Sequence, residues 1–181
     1  ENIVDIENTI VLVVLRNNVT VDNLKICLES IRNQNCDNLK VCIINDSFWG
    51  DYDIINVLIE YINLSGWYYI DNTFNAGHFL SIQIALELLD VKDNDIIIHV
   101  EPYLVLNNNV VEKILNSFVV NNIRVLLGNI SFSDIPIFDY TLVKWPDNTE
   151  DGFNVFLKRE YYTKIINPLL NKNFIHTNPF K

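Results

Sequence analysis

Seven consecutive residues, Thr9 to Leu15 (TIVLVVL), are β-branched or leucine and carry no charge. A continuous apolar run of this length is typical of a strand that is buried on both faces, as in a parallel sheet. The next apolar residues recur at helical spacing: Val21, Leu24, Cys27, Leu28 and Ile31. Thr20 and Asp22 are the two candidates for the N-cap of this helix. A buried strand followed by an amphipathic helix predicts a βαβ unit, which strongly limits the folds open to the chain.

The same alternation continues along the chain. Further apolar strands are predicted at Leu39–Ile44, Trp67–Ile70, Ile96–Val100, Val125–Ile130 and Phe153–Leu157. Helices are predicted around Ile54–Ile62, Phe79–Leu89 and Val110–Phe118. We therefore expect an α/β fold with a mainly parallel sheet and helices on both faces. The segment before the last strand, Ser131 to Gly152, is predicted to be an irregular loop long enough to be functional.

The length of the chain, 181 residues, fits one domain that folds without a disulfide or a structural metal. We expect a single domain over residues 1–181. The sequence starts at Glu1 and contains no methionine. The interpretation that it is a piece of a longer protein, with other domains as partners, therefore stays open.

Charge and composition exclude several classes of function. The net charge is −10 and the 13 Lys and Arg are scattered, so a nucleic-acid partner is not expected. Cys27, Cys36 and Cys42 form no CxxC pair, which indicates neither a zinc site nor a disulfide framework. The longest apolar stretch is far shorter than the roughly 20 residues of a membrane span. We expect a soluble, intracellular and cytoplasmic protein without a membrane span.

Two polar turns follow predicted strands at places where open α/β sheets hold nucleotides. The first is NDSFWGD, from Asn45 to Asp51, and the second is NAGH, from Asn75 to His78. Asn18 follows the first strand, and His99-Val100-Glu101 ends the fourth. The first helix carries the pattern LxxCLxSIxxQ, formed by Leu24, Cys27, Leu28, Ser30, Ile31 and Gln34.

This order of motifs, from Thr9 to about Ile166, resembles the family 2 glycosyltransferases of the GT-A fold. The resemblance implies the Rossmann-like sheet of nucleotide-diphospho-sugar transferases, with a UDP-sugar as donor. It also implies that Asn18, Asp46, Asn75 and Gly77 contact the nucleotide. At Asp46 a carboxylate would accept the imide hydrogen of uracil. The alternative is that Asp46 caps its own turn.

Gly77 has two interpretations as well. Within the resemblance, a glycine lets the backbone of the turn approach the nucleotide closely. The alternative is an ordinary strand-to-helix turn that needs a glycine at positive φ.

In GT-A enzymes a D-x-D motif usually holds the divalent cation that neutralises the leaving diphosphate. Here His99 and Glu101 replace the two aspartates, so the resemblance implies a degenerate metal site for Mn²⁺ or Mg²⁺. His176 is the candidate for a third ligand. The alternatives are a core histidine at position 99, a solvated Glu101 and a surface histidine in the tail.

An inverting transferase also needs a general base for the acceptor hydroxyl, and the family supplies it after the strand predicted at Phe153–Leu157. No Asp or Glu follows Glu160. Glu150 and Asp151, in the long loop, are therefore the candidates for the catalytic base, although loop acids are usually just solvated. Lys158 and Arg159 match a basic pair of the family that tends to be structural.

Two functions stay open. The first is an inverting hexosyltransferase that moves a sugar from a UDP-sugar to a hydroxyl of a protein or glycan acceptor. The second is a catalytically degenerate, GT-A-like accessory domain that serves assembly or substrate docking in a larger protein. The altered D-x-D and the missing base favour the second. If the domain is active, we expect metal-dependent UDP binding that Asp46→Ala abolishes.

Overall fold

The computed structural model describes residues 8–15, 19–46, 52–72, 76–120, 125–127, 143–144 and 153–160. The strands are β1 (Thr9–Leu15), β2 (Leu39–Asp46), β3 (Tyr68–Asn72), β4 (Ile96–Val100), β5 (Val105–Leu106), β6 (Val125–Leu127), β7 (Val143–Lys144) and β8 (Phe153–Leu157). The helices are α1 (Val21–Arg32), α2 (Tyr52–Ser65), α3 (His78–Leu88), α4 (Val110–Val120) and α5 (Lys158–Glu160).

The main sheet has six strands in the order β3-β2-β1-β4-β8-β6. The pairs β1–β2, β1–β4 and β2–β3 are parallel, whereas β8 is antiparallel to both β4 and β6. This arrangement confirms the predicted, mainly parallel α/β sheet. The chain moves from β1 to β3 on one side and resumes at β4 on the other. The topological switch point of the sheet therefore lies between β1 and β4.

Two apolar clusters cover the two faces of the sheet. On one face, alternate strand residues such as Val13 and Ile43 pack with the buried sides of α1, α2 and α4. On the other face, Leu12 and Ile44 pack against Ile82 and other residues of α3. Because successive side chains of a strand point to opposite faces, a strand that is apolar throughout supplies both clusters. The prediction of helices on both faces is confirmed.

Most predicted elements are present, and the differences lie at their ends. β1 and β4 have the predicted bounds, and Thr20 is the N-cap of α1, with Oγ1 accepting a hydrogen bond from the Asn23 N–H at 3.2 Å. β2 extends two residues beyond the prediction, so Asp46 is its last residue rather than part of a turn. The predicted irregular loop contains β7, which pairs with β5. The last three residues of the strand predicted at Val125–Ile130 lie outside the described residues.

Ser30 and Gln34 fasten α1 to the segment that follows β4. The Ser30 hydroxyl accepts a hydrogen bond from the Leu106 N–H at 3.0 Å. The Gln34 amide donates to the Asn107 carbonyl at 2.7 Å and accepts from the Val111 N–H at 3.1 Å. These two residues of the LxxCLxSIxxQ pattern thus satisfy backbone groups at and just before the start of α4, where a helix has N–H groups without intrahelical partners.

The basic pair after β8 also makes structural contacts. Lys158 Nζ donates to the Val91 carbonyl at 2.7 Å, and Arg159 Nη2 donates to Asn94 Oδ1 at 3.0 Å. Both contacts tie the end of β8 to the turn that precedes β4. None of the helices in the described ranges combines the length and the apolar character that a membrane span requires.

Candidate functional site

The carboxyl end of β2 places a buried carboxylate beside the start of α3. Asp46 is 2% exposed. Its Oδ1 accepts a hydrogen bond from the Ala76 N–H at 2.7 Å, and its Oδ2 accepts one from the Gly77 N–H at 3.0 Å. Hydrogen bonds from backbone amides to an ionised carboxylate are among the stronger ones in proteins. Asp46 therefore fixes the end of the NAGH turn to the sheet.

Two further polar side chains complete this arrangement. Asn72, the last residue of β3, donates through Nδ2 to Asp46 Oδ1 at 3.2 Å and to Ser81 Oγ at 3.0 Å. Asn72 and Ser81 are 5% and 0% exposed. We call Asp46, Asn72, Ser81 and the amides of Ala76 and Gly77 the Asp46 network. It links β2, β3 and the first turn of α3.

Gly77 is the N-cap of α3, with φ 80° and ψ 174°. This region of backbone conformation is essentially restricted to glycine. A Cβ atom at this position would meet no heavy atom within 4 Å. Within the described residues, glycine is therefore needed for its backbone conformation. This agrees with the interpretation of a strand-to-helix turn that needs a glycine at positive φ. The contact of Gly77 with a nucleotide stays a prediction, and Asn18 and Asn75 lie outside the described residues.

Asn45 lies beside Asp46 but faces the other side of the sheet. Its Nδ2 donates to the Tyr69 hydroxyl on β3 at 3.1 Å. Burial raises the pKa of Tyr69, and the hydrogen bond with Asn45 partly opposes that effect. The two polar residues that end β2 therefore make their hydrogen bonds on opposite faces of the sheet.

The end of β4 forms a second polar region, made by His99 and Glu101. His99 is 0% exposed and lies in the sheet between Leu12 of β1 and Asn154 of β8. Its Nε2 is 3.9 Å from Glu101 Oε1, and the Glu101 side chain is 22% exposed. We call these two residues the β4 end.

Cys27 lies against the backbone of the β4 end. Its Sγ is 3.7 Å from the Glu101 carbonyl oxygen. Burial, and after it the negative charge of Glu101, raise the pKa of the Cys27 thiol to about 12. The thiol is therefore neutral at ordinary pH and packs as a small apolar group.

The register of the sheet separates the two polar regions. His99 is level with Leu12 on β1, and Leu12 is level with Cys42 on β2. Asp46 lies four residues beyond Cys42, which corresponds to about 13 Å along the strand, and β2 is two strands from β4, which adds about 10 Å across the sheet. The Asp46 network and His99 therefore do not form one cluster.

A divalent cation needs more ligands than the β4 end provides. Among the described residues, no group of three or more His, Cys, Asp or Glu side chains is placed to hold a metal ion. His99 and Glu101 supply two candidate ligands, whereas Mg²⁺ or Mn²⁺ prefers several oxygen ligands. His176, the predicted third ligand, lies outside the described residues. The described residues alone do not fit the predicted metal, and we derive no chemical step through it.

Glu150 and Asp151, the candidates for the general base, also lie outside the described residues. The first described residue after them, Phe153, pairs with Val100 at the carboxyl end of β4. The chain therefore enters β8 next to the β4 end. The catalytic role of the two acids stays a prediction.

A groove of about 900 Å³ lies between α1 and the segment that starts at β5. Glu29 and Tyr61 line it, and the Tyr61 hydroxyl donates to Glu29 Oε2 at 2.8 Å. None of the predicted site residues that the structure describes borders this groove. The carboxyl edge near Asp46 is the better candidate site, because it combines buried polar groups with the position at which open α/β sheets bind ligands.

Sequence reasoning did not single out Asn72 or Ser81. The sequence does contain a signal for each of the two residues. Asn72 is a polar residue at the end of a strand, and Ser81 is one of two polar residues, with Gln83, in the otherwise apolar run Phe79 to Ile84. Such residues are common in turns and helices, however, so the pattern alone does not distinguish them. Their membership of one network is visible only in the tertiary structure, which places Asn72 Nδ2 within hydrogen-bonding distance of Ser81 Oγ.

The similarity of this chain to known proteins is visible in its fold rather than in its sequence. No protein-family model matches the sequence, and a search of curated proteins finds no match. The fold resembles that of a mannosyltransferase from Pyrobaculum calidifontis, PcManGT, solved with GDP-Man and Mn²⁺. The TM-score is 0.63 at 10% sequence identity, over 86% of this chain and 46% of that one.

Two further solved structures are similar. S. aureus TarS in complex with UDP-GlcNAc has a TM-score of 0.55 at 14% identity, over 74% of this chain and 37% of that one. GalNAc-T7 with UDP, GalNAc and Mn²⁺ has a TM-score of 0.60 at 14% identity, over 88% of this chain and 36% of that one. The chain thus spans less than half the length of these proteins. At such low identity the likeness establishes the fold, which is that of GT-A glycosyltransferases, and the function has to be argued from the site.

Proposed function

We propose that this chain is the donor-binding domain of a glycosyltransferase. It binds a nucleotide sugar, a UDP-sugar, at the carboxyl edge of β1, β2 and β4, for transfer of the sugar to a hydroxyl acceptor. Three solved structures with this fold contain GDP-Man, UDP-GlcNAc or UDP with GalNAc, which supports a nucleotide-sugar donor. The acceptor would be a protein or a glycan.

The observation that carries the proposal is the Asp46 network at this edge. A buried carboxylate that accepts two backbone N–H groups fixes Ala76 and Gly77, directly before α3, in advance of any ligand. A site that is already ordered loses less conformational entropy when it binds. The network also lies one strand from the topological switch point, where ligands of open α/β sheets bind.

In this proposal Asp46 fixes the turn that faces the donor. Its predicted contact with the uracil imide is a second, separate role. Glu150 and Asp151 are the candidates to accept the proton of the acceptor hydroxyl, because transfer with inversion needs a positioned base. Glu101, His99 and His176 are the candidates to hold Mn²⁺ or Mg²⁺, which would neutralise the charge of the leaving diphosphate.

Titration calorimetry with UDP and with GDP, each with Mn²⁺ and with EDTA, tests the proposal. We expect heat from UDP with the wild-type chain and none with Asp46→Ala. The matched control is Asp71→Ala, which removes an exposed carboxylate from the same end of the neighbouring strand. If neither nucleotide gives heat at millimolar concentration with the wild-type chain, the proposal is wrong.

A second candidate function is a docking or assembly domain that retains the fold without transferring a sugar. The complete burial of His99 favours it, because the residue at the first D-x-D position then has the environment of a core side chain. Turnover of a panel of UDP-sugars separates the two functions. Binding of UDP without release of any sugar would favour the docking domain.

A further inference from the structure

The polar core that joins β2, β3 and α3 contains more side chains than the family resemblance accounts for. Asn72 has two N–H groups on Nδ2, and this nitrogen lies within hydrogen-bonding distance of two acceptors, Asp46 Oδ1 at 3.2 Å and Ser81 Oγ at 3.0 Å. Asp46 in turn accepts the N–H groups of Ala76 and Gly77. The chain of contacts therefore runs from the first turn of α3 through β3 and β2 to the turn before α3.

Burial makes it costly in free energy to leave any polar group of this chain of contacts without a hydrogen-bond partner. Asp46, Asn72 and Ser81 are all at most 5% exposed. In such an environment each polar group needs a partner, since an unsatisfied buried group loses its hydration without compensation. Apolar side chains would fill the same space without that demand. A network of this kind restricts the local backbone to one arrangement.

We propose that Asn72 and Ser81 are positioning residues for donor binding. They hold the Asp46 carboxylate in the position from which it accepts the N–H groups of Ala76 and Gly77. In this way they set the backbone position of these two residues, which face the donor. This inference rests on the proposed function, because it assigns the turn to the nucleotide-sugar site. Neither residue is expected to touch the donor.

The geometry explains why a side chain at position 72 acts on the turn rather than on the sheet alone. Asn72 pairs with Asp46 in the parallel register of β2 and β3, so the two side chains lie side by side on one face. The Ser81 N–H donates to the Gly77 carbonyl at 3.1 Å, which closes the first turn of α3. Loss of the Asn72 amide would thus remove one hydrogen bond from the Asp46 carboxylate and one from the Ser81 hydroxyl at the same time.

The test compares Asn72→Ala with the wild-type chain in two measurements: UDP affinity by calorimetry, and amide hydrogen exchange at Ala76 and Gly77 by NMR. We expect the Kd for UDP to rise on the order of tenfold, which corresponds to transferring the free energy of one hydrogen bond to a carboxylate fully to donor binding. We also expect exchange at Ala76 and Gly77 to become faster. For Ser81→Ala, which keeps the contact between Asn72 and Asp46, a rise of roughly threefold is expected.

Ile82→Val is the matched control, because it weakens the packing of the same helix and has no polar group to remove. Ile82 is 1% exposed and lies next to Ser81. We expect it to leave the Kd and the exchange at the two amides within about twofold of wild type. If Asn72→Ala fails to fold, Ser81→Ala decides the question by the same two measurements.

The outcomes separate this inference from the proposed function. If the wild-type chain binds UDP and Asn72→Ala binds it equally well, the positioning role is wrong and the proposed function stands. If the loss of affinity is no larger than that of Ile82→Val, the role is structural only and the inference is likewise wrong. If the wild-type chain binds no nucleotide, the proposed function is wrong and the role in donor binding is wrong with it.

Discussion

The Asp46 network and the β4 end lie at the same edge of the same sheet and on the same face, yet their polar groups are arranged differently. Asp46 accepts hydrogen bonds from two backbone amides and from Asn72. His99 is equally buried, and its Nε2 lies 3.9 Å from a partly exposed carboxylate. A titratable residue at the end of a strand can therefore either fix a neighbouring turn or take the environment of a core side chain.

The difference between the Asp46 network and the β4 end shows which structural features the order of motifs determines. Both regions belong to the order of motifs that resembles the GT-A pattern, and in the first of them the side chains of Asp46 and Asn72 join β2, β3 and the start of α3. The order of motifs thus places both regions at the carboxyl ends of strands, and the tertiary structure supplies the hydrogen-bond partners of Asp46.

The largest effect is expected for Asp46→Ala. The substitution leaves the Ala76 and Gly77 amides and one Asn72 N–H without their acceptor, so we expect a loss of about 3–5 kcal/mol in the free energy of unfolding. Urea denaturation measures it. Asp71→Ala, on the exposed part of β3, is the control and should change the free energy by less than about 0.5 kcal/mol. Equal stability of the two variants would contradict the role of the network.

A smaller effect is expected for Gly77→Ala. At φ 80° and ψ 174° an alanine is strained even though open space surrounds the position, and the expected loss is about 1–3 kcal/mol. The control is Gly66→Ala after α2, where φ is 66° and the space is also open. The Gly66 N–H donates to the Ile62 carbonyl at 3.0 Å, as in the left-handed cap of a helix, so Gly66→Ala should lose about 1 kcal/mol. If urea denaturation shows a larger loss of stability for Gly66→Ala than for Gly77→Ala, backbone strain at Gly77 does not determine the cost of the substitution.

The β4 end is probed through Cys27, whose thiol pKa is raised to about 12, first by burial and then by Glu101. The unfolded chain releases this proton near the ordinary thiol pKa of 9.0, whereas the folded chain keeps it until about pH 12. The stabilisation by the neutral thiol is therefore present below the unfolded pKa and is lost as the pH rises towards the folded one. For Cys27, we expect a loss of about 1 kcal/mol between about pH 8 and pH 10.

Urea denaturation at both pH values measures this change. Burial also raises the pKa of the Cys42 thiol to about 12, but that thiol is present in the wild type and in Cys27→Ala, so the difference between the two isolates Cys27. Cys27→Ala should lose less stability than wild type over this pH range. Cys36→Ala is the control, because Cys36 is only partly buried. An identical pH dependence in Cys27→Ala and wild type would contradict the prediction.

The smallest effect concerns metal. Because the described residues of the β4 end supply two candidate ligands, we expect millimolar Mn²⁺ to leave the Tm of the nucleotide-free protein unchanged. Thermal unfolding with Mn²⁺ and with EDTA measures it. A rise in Tm that Glu101→Gln and His176→Ala both abolish would contradict this expectation and establish the metal site predicted from the sequence.

Several features of the fold could be predicted from short segments. β1 and β4 have the bounds that their continuous apolar runs predict, and α1 starts after Thr20, one of the two predicted caps. These predictions work because strand and helix periodicity depends on neighbouring residues of one segment. The two-residue extension of β2 to Asp46 was missed, since its polar end looks like a turn.

The candidate site could be predicted only in part. The sequence indicated Asp46 and Gly77, but it did not indicate Asn72 or Ser81 as their partners. The contact of Asp46 with Gly77 joins residues 31 positions apart, and that of Gln34 with Val111 joins residues 77 apart. Contacts of this kind depend on strand register and on how the helices dock, neither of which leaves a local pattern.

The sequence by itself determined the α/β alternation, the buried strands and the order of polar motifs, because these features follow from side-chain hydrophobicity within each segment. The tertiary structure alone decided which partner each polar residue has. It assigned Asp46 to the turn before α3, Ser30 to the segment before α4, and His99 to the core. The physical reason is that a buried polar group is defined by the neighbours that replace water around it, and those neighbours come from distant parts of the chain.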